Sequence, residues 1–481
     1  MASNEDIVED NWTPDSWRKF PIKQQPPYPE EAKPVLENVL ENIRQLPPLV
    51  GAGEIERLKK GIAAAGDGSA FILQGGDCAE RFVDCQKELI ENKIRIILQM
   101  SLVFIWRTHV PVVRIVRGAG QFAKPRSSSW ETIKVKETQV VDGVEKVVEV
   151  EKKIASFRGD NVNGYSINDR TPDPNRLLKA YFHSAATINY IRALVSGGFA
   201  SLQYPHRWDL DSVKNTHTRD AYRDILRELG HGIQFLMAVG QVSKGTSGID
   251  QVDIFTSHEG LVLDYEEANT FTYESGNSYN LGAHFLWIGD RTRALDGAHV
   301  EYFRGICNPV GVKCGPTMEP EELARILPIL NPDKEAGKLV LITRFGKDKV
   351  ATMLPPLIEA ARSTNVPVTW ICDPMHGNTT VTEGGLKTRK FDSILAEIEA
   401  TFQVHDQCDT ILGGIHLEMT GENVTECTGG AQELDSSELS TAYETYCDPR
   451  LNYTQSLDIA FRMAELVNQA GGATRCDSPI Q

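Results

Sequence analysis

The sequence has no long apolar run and little positive charge. None of the apolar stretches in its 481 residues approaches the roughly 20 residues that a membrane-spanning helix needs. The net charge of −16 argues against general affinity for nucleic acid or anionic membranes, although a small basic pocket is compatible with it. We therefore expect neither nucleic acid nor a membrane among the partners of this protein.

The N-terminal segment also lacks the features of a targeting sequence. Residues 1–17 are acidic and contain no apolar core, so they fit neither a secretory signal nor an Arg-rich transit peptide. Nine cysteines in a cytosolic chain of this size do not form a disulfide framework. We predict a cytoplasmic protein in which most cysteines are buried and inert.

The composition is that of an ordinary globular protein, with 41% hydrophobic and 24% charged residues. Residues 1–66 predict an N-terminal arm, polar and Pro-rich as far as residue 34, followed by two helices near 35–45 and 54–65. In residues 67–481, short apolar strands alternate with helical stretches, which predicts one catalytic domain.

Eight segments predict buried strands. They span residues 70–77, 110–120, 199–204, 284–290, 310–316, 338–346, 366–374 and 411–419. Several are apolar without alternation, which is typical of parallel strands buried on both faces. Eight such strands joined by helical crossovers favour an α/β fold of the (β/α)8 TIM barrel type, and a doubly wound open sheet is the alternative.

Two segments are longer than a normal crossover between strands. Residues 134–153 hold two charged, Val-rich alternating runs around Asp142 and Gly143, which predict a β-hairpin projecting from the barrel. Residues 205–283 predict an insert containing helices and a hairpin. This second insert would cover a face of the barrel or contact another subunit.

Chemically active side chains follow the predicted strands, at the end of a barrel where active sites collect. The potential metal ligands are Cys78, His376, Glu418 and Asp448. Together they suit one divalent transition metal, with a softness between the preferences of zinc and manganese. The cations at the same strand ends are Arg117, Lys124, Arg126, Arg291, Lys313 and Arg344. Because six converging cations would repel one another, they predict strongly anionic ligands.

Each of these residues also has a purely structural interpretation. A lone cysteine such as Cys78 is more often a core residue. His376 is as readily a structural hydrogen-bonding group, and Glu418 a simple ion-pair partner. An Arg or Lys at a strand end is usually a solvated rim residue. The predicted site therefore depends on the coincidence of metal-ligand types and cations on one rim.

Seven motifs together resemble those of type II 3-deoxy-D-arabino-heptulosonate 7-phosphate (DAHP) synthase. They are LQGGDCAE, GQFAKPRS, WIGDRTR, GVKCGP, CDPMHGNT, GGIHLEMTGENVTEC and CDPRLN. The resemblance covers the chain from residue 35 to 470 and is specific to this family. The long insert at 134–153 and the short N-terminal arm are closer to fungal members than to bacterial ones.

The resemblance implies a role for each candidate residue. The metal ligands would be Cys78, His376, Glu418 and Asp448, with Mn2+ preferred to Co2+ or Zn2+. The phosphate of phosphoenolpyruvate would be held by Arg291, Arg344 and the backbone N–H of Asp290. Its carboxylate would be held by Arg117, Lys124 and Lys313. The phosphate of erythrose 4-phosphate would be held by Arg126 and Ser127.

The implied reaction condenses phosphoenolpyruvate with erythrose 4-phosphate, giving DAHP and phosphate in the first step of the shikimate pathway to aromatic amino acids. The metal would polarise the aldehyde and Lys124 would act as general acid. Asp290 stands where the family usually has Glu, which matters only if the carboxylate itself positions a water. The alternatives are another metal-dependent phospho-sugar aldolase and an inactive sensor of aromatic metabolites. The resemblance also implies a homo-oligomer, dimer or tetramer, and an aromatic amino acid effector.

Cys447 precedes the predicted ligand Asp448 and is therefore predicted to lie near Cys78. Without metal, Cys78 would be a reactive thiol among cations that raise its thiolate fraction. We predict that it then forms a disulfide with Cys447. The alternative is that Cys447 is only a small buried apolar residue.

Overall fold

The computed structural model describes residues 12–141, 144–197, 199, 216–238 and 252–471. Its centre is a closed barrel of eight parallel strands, arranged in chain order around the barrel. The strands are β1 (Phe71–Gly76), β2 (Val112–Arg117), β3 (Phe255–Glu259), β4 (Phe285–Ile288), β5 (Val310–Cys314), β6 (Leu339–Thr343), β7 (Thr369–Cys372) and β8 (Leu412–Glu418). The predicted (β/α)8 barrel is confirmed, and the open sheet is excluded because β8 pairs with β1.

The third barrel strand is not where the sequence pattern placed it. Residues 200–204 of the predicted strand lie outside the described residues, and Phe199 lies in a turn after a helix. The third position is instead taken by β3, which pairs with β2 and β4. That strand reads FTSHE, so its polar side chains hid it from a search for apolar runs. The predicted insert at 205–283 thus contains a barrel strand.

Helices surround the barrel and close its N-terminal end. They are α1 (Lys33–Gln45), α2 (Ala52–Gly66), α3 (Lys87–Thr108), α4 (Asn175–Ser196), α5 (Thr216–Ala238), α6 (Leu263–Ala268), α7 (Ala298–Gly305), α8 (Pro320–Leu330), α9 (Val350–Thr364), α10 (Phe391–Gln407) and α11 (Tyr453–Gly471). The first two match the helices predicted near 35–45 and 54–65. Among the described residues, no helix is both long enough and apolar enough to span a bilayer.

The barrel interior is filled at its N-terminal end by apolar side chains from α2. Leu58, Ile62 and Ala65 are fully buried and share one cluster with strand residues such as Ile72 and Phe285. Burying each large side chain contributes about 1.5–3 kcal/mol. This packed floor leaves the C-terminal end of the barrel as the open end.

The predicted charged hairpin is present, and its strands extend beyond the predicted residues 134–153 at both ends. Its strands, Trp130–Val141 and Val144–Ala155, pair antiparallel from Trp130↔Ala155 to Val141↔Val144. The predicted turn residues Asp142 and Gly143 lie outside the described residues. The hairpin follows β2 at the C-terminal end of the barrel, so its base borders the open end.

Two further strand pairs form small sheets separate from the barrel. They join Thr270–Thr272 to Ser278–Asn280 and Thr379–Val381 to Lys387–Arg389. The second pair lies between β7 and α10 and carries charged side chains toward the open end of the barrel.

Candidate functional site

The C-terminal ends of the barrel strands surround a cavity of about 510 Å3. The predicted site residues that line it are Cys78, Arg117, Lys124, Arg126, Ser127, Asp290, Arg291, Lys313, Arg344, His376 and Asp448. The remaining one, Glu418, is fully buried and contacts two of them, Arg117 and His376. The fold therefore brings every predicted site residue to one place.

Parallel register explains why three of these residues meet. Gly76, at the end of β1, stands opposite Glu418 of β8 on one side and Arg117 of β2 on the other. Gly76 has φ +148°, and a Cβ there would lie 2.2 Å from the carbonyl oxygen of Arg117. A glycine is thus required where the chain turns toward Cys78.

The four potential metal ligands form one group. One ligand atom each from Cys78, Glu418 and Asp448 lies within 4.8 Å of the other two. His376 joins them through Nε2, which is 3.0 Å from Glu418 Oε1. Its Nδ1 lies 2.7 Å from Asp373 Oδ2, so Asp373 orients the ring as carboxylates do behind metal-bound histidines.

Cations compensate the charge of this group. Lys124 Nζ lies 2.6 Å from Cys78 Sγ and 2.6 Å from Asp448 Oδ2. Lys387 Nζ lies 2.8 Å from the other oxygen of Asp448. Arg389, which is fully buried, lies 2.7 Å from Glu418 Oε2. An ammonium group between a thiol and a carboxylate shows that the cluster attracts a cation, so the residues fit a divalent metal by charge and by donor type.

The pKa values of the acidic donors are shifted by burial and by the neighbouring charges. Burial acts to raise the pKa of Glu418, but the charges of His376 and Arg389 hold it well below its usual range. For Asp448, burial is likewise outweighed by Lys124, and the pKa is lowered. Burial raises the pKa of the Cys78 thiol well above its ordinary value, against the influence of Lys124. Both carboxylates are therefore ionised at neutral pH.

Asp290 is engaged by arginines on both sides. Its Oδ2 lies 3.0 Å from Arg344 Nη1, and its Oδ1 accepts a hydrogen bond from Arg293 Nε at 3.1 Å. The Asp290 side chain is one methylene shorter than Glu and reaches both arginines. The carboxylate thus holds Arg344 beside the cavity.

The second group of predicted anion-binding residues lies at the base of the hairpin. Arg126 Nη2 donates to Glu131 at 2.8 Å, and Glu131 also pairs with Arg170. Ser127 Oγ accepts a hydrogen bond from Arg291 at 3.3 Å. The two predicted phosphate sites therefore adjoin each other, with Arg291 at their boundary.

Lys313 and Arg117 occupy the depth of the cavity. Lys313 forms an ion pair with Asp373, and burial lowers its pKa from the ordinary value. Arg117 donates to the carbonyl oxygen of Cys78 at 3.0 Å. Both cations lie near the ring of Trp287, at 5.4 Å for Arg117 and 5.8 Å for Lys313. Together they form a cationic wall backed by an aromatic ring.

Sequence reasoning missed several residues of this site. Glu259 lines the cavity at the end of β3, and burial raises its pKa against the influence of Lys124 and Lys313. It was overlooked because the third strand was misplaced. Lys387 and Arg389 come from the strand pair after β7, which carried no recognisable signal. Trp287, inside β4, was taken only as part of an apolar run.

The chain is similar to known proteins over nearly its full length. Residues 12–464 match the model of the class-II DAHP synthetase family. A phospho-2-dehydro-3-deoxyheptonate aldolase of Neurospora crassa is 46% identical over 475 residues, covering 95% of this chain and 95% of that protein. Proteins of the same name from Streptomyces coelicolor and Mycolicibacterium smegmatis are 42% identical over 454 residues and 43% identical over 461 residues. Each alignment covers 94% of this chain, with 96% of the first protein and 94% of the second.

Proposed function

The chain belongs to the class-II DAHP synthetase family, and from that membership we propose that it condenses phosphoenolpyruvate with erythrose 4-phosphate to give DAHP and phosphate. It is an enzyme of the DAHP synthase class, a transferase of the shikimate pathway. The substrates, the metal and the residue roles are our proposal.

One observation carries the proposal: six cations and a cluster of metal-ligand donors share a single cavity. Two phosphates and one carboxylate are the anions that such a set would accommodate. A site for one phosphorylated sugar would need only one of the two adjoining groups, Arg126 with Ser127 or Arg291 with Arg344.

We assign phosphoenolpyruvate to the inner part of the cavity. Arg291 and Arg344 would hold its phosphate with the backbone N–H of Asp290. Arg117, Lys124 and Lys313 would hold its carboxylate. Arg344 now pairs with Asp290 at 3.0 Å, so binding would exchange part of an internal ion pair for a phosphate.

We assign erythrose 4-phosphate to the outer part of the cavity, where Arg126 and Ser127 would hold its phosphate. Because Arg291 contacts Ser127, substrates bound at the two groups would lie side by side. Carbon–carbon bond formation requires the aldehyde carbon to lie next to C3 of phosphoenolpyruvate, and neighbouring sites would meet that requirement.

Lys124 is placed to supply a proton. Burial acts to lower its pKa, but Asp448 and Cys78 raise it well above the ordinary value, so the side chain is protonated. As C3 bonds to the aldehyde carbon, Lys124 would protonate the aldehyde oxygen as general acid. Water would then add to C2 and release one proton to solvent. As the bond between C2 and the phosphate oxygen breaks, the departing phosphate would take the remaining hydroxyl proton and leave a ketone at C2.

We propose one divalent metal ion, Mn2+ in preference to Co2+ or Zn2+, bound by Cys78, His376, Glu418 and Asp448. When bound, it supplies Lewis-acid polarisation of the aldehyde. Asp373 would keep the ring of His376 oriented, and Arg389 would hold Glu418 in place.

The test is consumption of phosphoenolpyruvate with erythrose 4-phosphate, with erythrose lacking the phosphate, and with neither. We expect DAHP, identified by mass spectrometry, with the phosphorylated aldehyde only, and loss of the reaction on adding a chelator. Efficient use of unphosphorylated erythrose would contradict a second phosphate site at Arg126 and Ser127. Absence of any aldehyde-dependent consumption would contradict the proposed function. The cytosolic location, the homo-oligomeric state and control by an aromatic amino acid stay predictions.

A further inference from the structure

Two loops of the candidate site meet at a carboxylate that lies outside the barrel. Residues 344–347 follow β6 and carry Arg344, while residues 373–378 follow β7 and carry His376. Glu397, on the outer helix α10, reaches both loops and is only 1% exposed. A buried acid facing away from the cavity has no place in the reaction proposed above.

Both oxygens of Glu397 are occupied by donors from these loops. Oε1 accepts the backbone N–H groups of Phe345 at 2.9 Å and Gly346 at 2.8 Å. Oε2 accepts a hydrogen bond from Asn378 Nδ2 at 2.6 Å. The donors thus come from the two residues directly after Arg344 and from the residue two positions after His376.

Asn378 extends the connection between the loops. Its Nδ2 also donates to the carbonyl oxygen of Pro374 at 2.8 Å, and its Oδ1 accepts the backbone N–H of Lys347 at 3.2 Å. The amide is therefore fixed in one orientation, because a flip would place Oδ1 against two acceptors and Nδ2 against a donor.

The loops also touch each other directly. Arg344 Nη2 donates to the carbonyl oxygen of His376 at 3.2 Å. Gly346 has φ +86°, and a Cβ added to Gly377 would lie 2.2 Å from the backbone nitrogen of Gly346. Because the two backbones are this close, neither loop moves without the other.

We infer that Glu397 is a positioning residue, which fixes Arg344 for the phosphate of phosphoenolpyruvate and His376 for the metal through one shared carboxylate. The inference rests on the proposed function for the roles of Arg344 and His376. Burial is the main cause that raises the pKa of Glu397 to about 7, while the two backbone hydrogen bonds act to lower it. Keeping this carboxylate ionised in the fold therefore costs free energy. A carboxylate buried away from water must be stabilised by hydrogen-bond donors of the protein. Here three donors from two loops provide that stabilisation.

The test replaces Glu397 with Gln and uses Glu399→Gln as the matched control. Glu399 lies on the same helix but pairs with Arg462 at the partly exposed surface, so the chemical change is equal and the location differs. In the Glu397→Gln variant, an amide N–H2 would face the N–H2 of Asn378, so that one accepted hydrogen bond is lost. The neutral oxygen left for Phe345 and Gly346 is also a weaker acceptor than a carboxylate. We expect the KM for phosphoenolpyruvate to rise about tenfold, the equivalent of roughly 1.4 kcal/mol. The KM for erythrose 4-phosphate should stay unchanged.

Hydrogen exchange supplies a readout that does not need activity. The amides of Phe345 and Gly346 should exchange about tenfold faster in Glu397→Gln than in Glu399→Gln. Equal exchange and equal KM values in the two variants would overturn the inference. Equal rises in both KM values of Glu397→Gln would do so as well, because they indicate a general structural defect. If the wild-type protein consumed no phosphoenolpyruvate, the proposed function would fail, and exchange alone would decide whether Glu397 fixes the loops.

If the Glu397→Gln variant does not fold, the Asn378→Ala variant provides a second test. It removes the link to the loop after β7 and leaves the bonds from Glu397 to Phe345 and Gly346. We expect weaker binding of Mn2+ in calorimetry, with normal exchange at Phe345. Unchanged Mn2+ affinity would overturn the inference.

Discussion

Lys124 Nζ lies 2.6 Å from Asp448 Oδ2, which joins the predicted general acid to a predicted metal ligand. The same ammonium lies 2.6 Å from Cys78 Sγ. Removing one partner from a buried group of charges leaves the others uncompensated, at a cost of about 3–5 kcal/mol. We therefore expect metal binding to be coupled to the position of Lys124, since a bound cation would take over the charge that Lys124 now balances.

Cys78→Ser should weaken Mn2+ binding sharply while the fold persists. A thiol is one of the four donors, so the loss should exceed the roughly 10–100-fold typical of changes to residues behind the ligands. Calorimetric titration of Mn2+ measures it, with Cys408→Ser, at the end of α10, as control. Full activity of the Cys78→Ser variant in chelated buffer would contradict the assignment.

Arg126→Ala should raise the KM for erythrose 4-phosphate far more than the KM for phosphoenolpyruvate. Losing one charge-assisted phosphate contact costs about 1.5–3 kcal/mol. Initial rates with each substrate varied in turn give both constants, and Arg325→Ala on the exposed face of α8 is the control. Equal changes in both constants would show that the two phosphate sites, which meet where Arg291 contacts Ser127, are misassigned.

Deleting residues 138–149 from the hairpin should leave kcat almost unchanged. Within the sheet, the described residues of 138–147 pair with each other, and Val148 and Glu149 pair with Glu137 and Lys136, whereas the base of the hairpin contacts the site through Glu131 and Arg126. Steady-state kinetics on the shortened protein measures the effect, and Glu131→Gln provides the contrast at the base. Loss of turnover in a deletion variant that is still folded would place the hairpin tip in the active site.

The barrel and most of the site were predictable because their signals are local. Seven of the eight barrel strands are short apolar runs followed by a chemically distinctive residue, and the closed fold brings those residues together. Parallel register then sets Glu418 and Arg117 beside the end of β1 without further information. The positions of the strand ends alone therefore predict one shared site.

The features that the sequence did not reveal depend on long-range packing. The strand FTSHE is polar because its side chains face a hydrogen-bonded interior, where Ser257 accepts from Gln74 at 3.0 Å. In the sequence, Glu397 resembles any acidic residue of a helix. Only the folded chain places two loops against it. Arg389 is separated by 29 residues from Glu418, and only the folded chain brings them to 2.7 Å.

Glu397 should make stability depend on pH. Its pKa is raised from the ordinary 4.5 to about 7, mainly by burial, so the folded protein binds an extra proton between these values. The contribution to the free energy of unfolding is complete below pH 4.5 and is lost as pH rises through 7, by at most about 3 kcal/mol. The Tm of Glu397→Gln relative to wild type should therefore increase from pH 5 to pH 8. A constant difference, measured by calorimetry at several pH values, would contradict the shift.

Cys78 and Cys447 should form a disulfide when the protein is stripped of metal and oxidised in air. Burial is the main cause that raises the pKa of Cys78 and Cys447 is the next, so the two thiols interact, and both are free in the structure. Oxidation removes two electrons and two protons, which oxygen accepts, and the bond needs the Cα atoms to come within roughly 4.4–6.8 Å. Cys85, seven residues after Cys78, is the alternative partner, but its Sγ lies 3.4 Å from Thr187 Oγ1.

Peptide mapping without reductant identifies the linkage, and a Cys78–Cys447 peptide that disappears on reduction is the expected result. Cys447→Ser is the control, in which Cys78 should stay free after the same oxidation. Bound Mn2+ should suppress the linkage in the wild-type protein, because a metal-bound thiolate is withheld from oxidation. Two free thiols after exhaustive oxidation, or a link from Cys78 to Cys85, would show that the loop carrying Asp448 keeps Cys447 out of bonding geometry.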